Sequence, residues 1–258
     1  MKVAIIGAGN MGGAIACGLA HGSYIETSNI TVSNPSNAKL EKLKQKYPDI
    51  NITNNNLEAA ESADIIILAV KPWKVEEVLK PLHIKHPQIL LSVAAGLTCD
   101  DLKLFVAPGT TIIRAIPNTA ISELASLTLI ASQNSSKDTL SLIQNLFNEM
   151  GVAMLIEESQ FPAATALTSC GIAYVFKYVQ AAMQAGVELG IKPKDGMKML
   201  AQTLEGAAQI LLNNEDTHPA IEIDKVTTPG GITIKGVNSL EHSGFSSAII
   251  KAIKESTC

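Results

Sequence analysis

The sequence predicts an α/β chain, a doubly wound sheet domain followed by an all-helical domain. Three observations predict it. An apolar run enters a glycine-patterned turn at the very start, at Lys2-Val3-Ala4-Ile5-Ile6-Gly7-Ala8-Gly9-Asn10-Met11-Gly12. Short apolar runs then alternate with helical stretches up to about residue 158. Beyond that point strand signals vanish and Ala-, Leu- and Met-rich stretches take over.

The expected strands are 2–6, 29–33, 64–70, 88–93, 111–115, 127–131 and 152–156. Most are continuous apolar runs rather than alternating ones, which is how strands buried on both faces of a parallel sheet read. Helices are expected near 11–21, 36–47, 74–80, 99–105 and 137–149. The domains are placed at 1–158 and 159–258. In the second, helical stretches 160–189, 193–213 and 230–256 are punctuated by Pro193, Pro219 and Pro229. Segment 160–189 is apolar around most of its circumference. A helix of that kind needs cover on several sides. A domain of about 100 residues does not easily supply it, so a second subunit is expected there.

The opening glycines sit between a strand and a helix, the setting in which G-x-G-x-x-G binds a dinucleotide in a Rossmann-like fold. Gly7 permits the tight turn, Gly9 lets a diphosphate approach the backbone, and Gly12 lets helix and strand pack closely. The alternative is a plain glycine-rich turn. The second strand ends at Ser33-Asn34-Pro35-Ser36, where NAD-specific sites carry an acid for the ribose 2′-hydroxyl. With no carboxylate to repel a 2′-phosphate, the chain is expected to use NADPH while still admitting NADH.

Ala69-Val70-Lys71-Pro72 and Ser92-Val93-Ala94-Ala95-Gly96 close two further strands. The first is expected beside the nicotinamide, or else is a simple strand-ending turn. Arg114 closes another strand and is either a site residue or a structural ion-pair partner. Thr228-Pro229-Gly230-Gly231-Ile232-Thr233 opens a helix with bare N–H groups, suited to a carboxylate. The alternative is an interhelical loop capped by Thr228. Nothing resembles a Ser-His-Asp set or a metal-ligand spacing, so the chemistry is expected to lie in the cofactor.

Charge and composition narrow the class. A formal net charge of −4 argues against a nucleic-acid footprint. The apolar run Ile65–Val70 is far too short to span a membrane. The predicted first strand leaves no room for a leader. Cys17, Cys99, Cys170 and Cys258 form no C-x-x-C pair and read as free thiols of a reducing compartment. The expectation is a cytoplasmic protein acting on a small molecule.

These motifs, in this order, resemble the pyrroline-5-carboxylate reductases along nearly the whole chain. The matching pieces include Gly7–Gly12, Ala69–Pro72, Ser92–Gly96, Arg114–Thr119, Gln202–Ala208 and Thr228–Glu241. The resemblance implies reduction of 1-pyrroline-5-carboxylate to L-proline by NAD(P)H. It implies that Asn10, Met11, Ser33, Asn34, Asn56, Ala69, Val70, Lys71 and Pro72 lie along the cofactor. It implies that Thr228, Gly230, Gly231, Ile232 and Thr233 hold the substrate, with the Thr233 hydroxyl near the ring nitrogen. It also implies a homodimer through the helical domain, with rings of dimers in some members, and one protomer's cofactor facing its partner's Thr233. The chain departs from the family pattern at Cys170, Ile172, Gln180, Ile232, Ile116 and Ala120. Two other readings of the scaffold are a sister cyclic-imine reductase and a non-catalytic regulatory paralogue.

Overall fold

The computed structural model describes residues 1–214 and 216–257. The chain divides into two compact units, 1–169 and 170–257.

In the first unit the elements run β1 (Val3–Ile6), α1 (Asn10–His21), β2 (Ile30–Ser33), α2 (Asn37–Lys46), β3 (Asn51–Thr53), α3 (Asn56–Glu61), β4 (Ile65–Leu68), α4 (Val75–Leu79), β5 (Ile89–Ser92), α5 (Cys99–Lys103), β6 (Thr111–Ile116), β7 (Ser126–Ala131), α6 (Lys137–Asn148), β8 (Gly151–Leu155) and α7 (Phe161–Thr165). The strands form one sheet in the order β3-β2-β1-β4-β5-β6-β7-β8. Because side chains alternate across a strand, each strand feeds two cores. Ile5, Val32, Ile67, Leu91 and Ile113 meet α1, α2 and α6 on one face. Ala4, Ile6, Ile66, Leu68, Leu90 and Ile112 meet α3, α4 and α5 on the other. Helices on both faces explain why the strands read as unbroken apolar runs.

The expected doubly wound sheet is present, and the structure refines it in two places. First, β7 runs antiparallel to β6, whereas the other pairings are parallel. Only residues 117–125 join β6 to β7, including a 3₁₀ turn over Thr119–Glu123. A parallel return needs a crossover of about a dozen residues or more. The longer connection through α6 gives β8 its parallel partner in β7. Second, β3 and α3 were not expected. Their stretch, Asn51-Ile52-Thr53-Asn54-Asn55-Asn56, is polar and reads as a loop. It becomes an edge strand because β2 pairs with it in register, Val32 beside Ile52.

A π-helical turn over Ala166–Cys170 crosses the boundary between the units, and the second unit then runs α8 (Gly171–Glu188), α9 (Pro193–Leu212), α10 (Pro219–Val226), α11 (Ile232–His242) and α12 (Phe245–Glu255). Pro219 opens α10 at its first turn, rather than ending a helix. The single stretch expected over 230–256 is broken at Gly244, which adopts φ +78°. Within the unit α8 and α9 form a hairpin, and the Tyr174 hydroxyl of α8 bonds Ser256 Oγ and the Ala252 carbonyl. The unit has almost no core of its own. Val179 is the sole buried apolar residue on α8, and α10, α11 and α12 have none. Among the described residues no helix is long and apolar enough to cross a membrane.

Candidate active site

The sheet unit brings one group of expected residues together at the C-terminal ends of β1, β2, β3 and β4. Gly7, at φ +107°, turns the chain out of β1, a conformation that favours glycine. Its N–H donates to the Ser33 carbonyl at 2.7 Å, and Ala69 N–H donates to the Ile6 carbonyl at 2.9 Å. The loop is thus stitched to both neighbouring strands. A Cβ on Gly12 would lie 1.9 Å from the Gly7 carbonyl oxygen and 2.9 Å from Ala69 Cβ. Gly12 is therefore demanded by packing. Gly9 is different, because a Cβ there would meet nothing within 4 Å.

That open space adjoins the start of α1. Gly9 is the N-cap and gives no side-chain bond to the first turn, which also carries no acid. The first N–H groups of a helix have no partner inside it, and they carry the positive end of the helix dipole. The place suits a diphosphate, and the residues present fit one.

On the β2 side, Ser33 is fully buried and its hydroxyl donates to Asn56 Oδ1 at 2.6 Å. Asn34 Oδ1 accepts from Ala8 N–H at 3.0 Å, and Asn34 Nδ2 donates to the Ser36 carbonyl. Asn54, which sequence reading missed, donates to the Asn34 carbonyl at 2.8 Å. Ser33 and Asn34 thus hold the loop in shape. The exposed groups beside them are Ser36 and the start of α2, which likewise has no side-chain cap. On the β4 side, Val70 packs against Gly7, Lys71 is exposed, and Pro72 begins a 3₁₀ turn.

Arg114 is a structural partner. Its Nη1 donates to Glu158 Oε1 at 2.7 Å, and its guanidinium lies 4.5 Å from the Phe161 ring centre. Glu158 also accepts from Cys99 N–H and from Gln133 Nε2. Burial pushes the Glu158 carboxyl up, but these three donors hold it below the usual carboxylate range. Burial, together with the Glu158 charge, pushes the Cys99 thiol up to about 11, so it stays protonated. No sequence signal pointed to Glu158, which lies 44 residues from its partner.

The second group lies in the helical unit. Gly230 adopts φ +77°. Gly231 is the N-cap of α11 and donates to the Thr228 carbonyl at 2.9 Å. A Cβ on Gly231 would sit 2.8 Å from Thr228 Oγ1. No side-chain bond caps α11, so Thr228 is not its cap and the helix start is left bare. Ile232 and Thr233 are exposed in its first turn. Among the described residues no cluster of His, Cys, Asp or Glu could hold a metal.

A family model described as pyrroline-5-carboxylate reductase dimerisation matches residues 158–258. Another, NADP oxidoreductase coenzyme F420-dependent, matches residues 2–96. Pyrroline-5-carboxylate reductase 2 of Dictyostelium discoideum is 37% identical, over 98% of this chain and 89% of its own length. The chain belongs to the pyrroline-5-carboxylate reductase family. Pyrroline-5-carboxylate reductase 1 of the same organism is also 37% identical over 99% of this chain, which spans 48% of that relative's length. A solved Plasmodium falciparum pyrroline carboxylate reductase with NADP bound superposes with a TM-score of 0.89 at 28% identity, covering 100% of this chain and 95% of that one.

Proposed function

We infer that this family member reduces 1-pyrroline-5-carboxylate to L-proline with NADPH, NADH being a second donor. The observation that carries the reading is the pairing of two bare helix starts in one chain, α1 behind the open Gly9 and α11 behind Gly231. One suits a diphosphate and the other a carboxylate. The named relatives and the NADP-bound neighbour support the same activity.

Bound NADPH supplies a hydride. Gly7, Gly9, Asn10, Met11 and Gly12 hold its diphosphate. Ser33, Asn34 and Asn56 shape the wall on the adenosine-ribose side, and Ala69, Val70, Lys71 and Pro72 form the wall on the β4 side. Thr228, Gly230 and Gly231 set the turn, the Gly231 N–H being held by the Thr228 carbonyl, and leave the first N–H groups of α11, at Ile232 and Thr233, for the substrate carboxylate. The Thr233 hydroxyl bonds the ring nitrogen and orients the C=N carbon. The substrate accepts hydride at carbon and carries its proton on nitrogen, so the site needs no strong acid.

The active form is a homodimer, with a second copy covering the apolar residues that α8 and α9 leave exposed. Association of such dimers into rings is part of this reading. The functional boundary falls at 158/159, a reading supported by the dimerisation match that starts at residue 158, with 159–169 fastened to the sheet unit by Phe161 and by Ser169, whose hydroxyl bonds the Pro117 carbonyl. The thiols Cys17, Cys99 and Cys170 suit the cytoplasm.

The test follows NADPH and NADH oxidation with pyrroline-5-carboxylate and with its six-membered homologue. Turnover of the five-membered imine is expected. Faster turnover of the homologue would make this a sister reductase, and no oxidation with either would sink the enzyme reading. Gly9→Val is expected to abolish NADPH binding without lowering the melting temperature. Mixed dimers of Gly9→Val and Thr233→Ala subunits are expected to recover activity if the two halves of a site come from different copies.

A further inference from the structure

Trp73 is the only tryptophan of the chain, and it is 76% exposed. It stands five residues beyond the end of β4, in the 3₁₀ turn Pro72–Lys74 that leads into α4. An exposed indole forfeits the burial of a large apolar surface, so its position calls for a reason. The exposed residues beside it in the chain are charged: Lys71, Lys74, Glu76 and Glu77, with the Lys71 ammonium 6.0 Å from the indole centre. A lone aromatic plane set among charges does not make the contiguous apolar patch that marks a protein-binding face. An indole flanked by lysines instead matches a flat heteroaromatic ring that carries phosphate. The ring stacks on the indole, and the lysines meet the anion.

The backbone places this pair at the dinucleotide site. Ala69 bonds Ile6 and touches the Gly7–Gly12 loop, so the segment beginning at Ala69 is one wall of the crevice. Pro72 fixes the chain direction immediately before the indole. We propose that Trp73 is a cofactor-binding residue of this chain, its indole stacking on a base of the bound dinucleotide while Lys71 and Lys74 face the phosphates. The proposal rests on the dinucleotide reading above and adds a residue to it. Because Trp73 is exposed, replacing it removes little from the folded core.

A sole tryptophan gives a clean signal for the test. The full-length protein is titrated with NADP⁺, which has no absorption band overlapping indole emission, and with two fragments, adenosine 2′,5′-bisphosphate and nicotinamide mononucleotide. Quenching of Trp73 emission by NADP⁺ and by one fragment is expected, and the fragment that quenches identifies the stacked base. Trp73→Ala is expected to raise the NADPH dissociation constant about tenfold, within the range of losses seen when a base loses its aromatic platform. Trp73→Phe is expected to restore it to within about threefold, with melting temperature and oligomer size unchanged in both. An unchanged dissociation constant in Trp73→Ala, while the parent protein binds NADPH, would overturn the proposal and leave the dinucleotide reading standing. A change confined to oligomer size would overturn it too. A parent protein that binds neither NADPH nor NADH would bring down the underlying reading as well.

Discussion

Phe147 and Phe176 are both phenylalanines on helices, and their surroundings are opposite. Phe147, on α6, is fully buried against the sheet. Phe176, on α8, is 62% exposed. The contrast extends to the units that contain them. The sheet unit closes two cores, one on each face, with residues from its own strands and helices. The helical unit exposes Leu189, Phe176, Leu212 and Ile210 and encloses almost nothing. Burying a large apolar side chain stabilises by about 1.5–3 kcal/mol relative to leaving it in water. A helical unit that forgoes this at many positions obtains it from another chain. The first unit closes its own cores, whereas the second is completed by a second copy only on the dimer reading proposed above.

This comparison can be broken by charge. Phe176→Asp is expected to have the largest effect, loss of the dimer and with it of activity, read by light scattering alongside NADPH oxidation. Leu104→Asp is the control, since Leu104 is 77% exposed on the sheet unit. If Phe176→Asp left a stable, active dimer, α8 would not be an interface helix. Next comes Phe147→Ala, which opens a cavity and is expected to cost about 3–5 kcal/mol. Denaturant unfolding should show this loss at every protein concentration. Phe176→Ala should instead give a loss that shrinks as concentration rises, because a partner stabilises by mass action.

The Arg114–Glu158 pair gives a smaller effect. Glu158 titrates below its ordinary range in the folded chain. The stability it contributes is therefore present above the unfolded carboxylate pKa and is lost as pH falls through the lower folded value. Glu158→Gln is expected to cost about 2 kcal/mol at pH 7 and to flatten the acid limb of a stability–pH curve below about pH 4.5. An acid limb unchanged by the substitution would remove Glu158 from that role. The smallest effect concerns Cys99, whose thiol stays protonated. Alkylation at pH 8 is expected to spare it in the native protein and to reach it after unfolding, as peptide mapping would show.

Much of the sheet unit was legible in the residues, because a strand buried on both faces must be apolar throughout. The glycine loop was legible for a related reason: Gly7 and Gly12 stand where any side chain would collide, while Gly9 opens onto unfilled space. What escaped notice was polar or distant. Asn51–Asn56 carries one apolar residue, Ile52, among polar ones; its first three residues become β3 by pairing beside β2, and Asn55 caps the start of α3. Glu158 finds Arg114 across 44 residues of chain.

By itself, then, the sequence determined the two-part architecture, the glycine loop and the family likeness, because each depends on local residue chemistry or on a short repeating pattern; it offered the Pro-Gly-Gly helix start only beside a capped loop. Tertiary structure decided the rest. It turned β7 antiparallel, because the loop before it is too short to cross over. It spent the Ser33 hydroxyl on Asn56 and the Arg114 guanidinium on Glu158, choices made by neighbours brought close only in the fold. It also left apolar residues of α8 and α9 exposed, because their own unit brings no atoms against them; in the proposed dimer a second copy covers them.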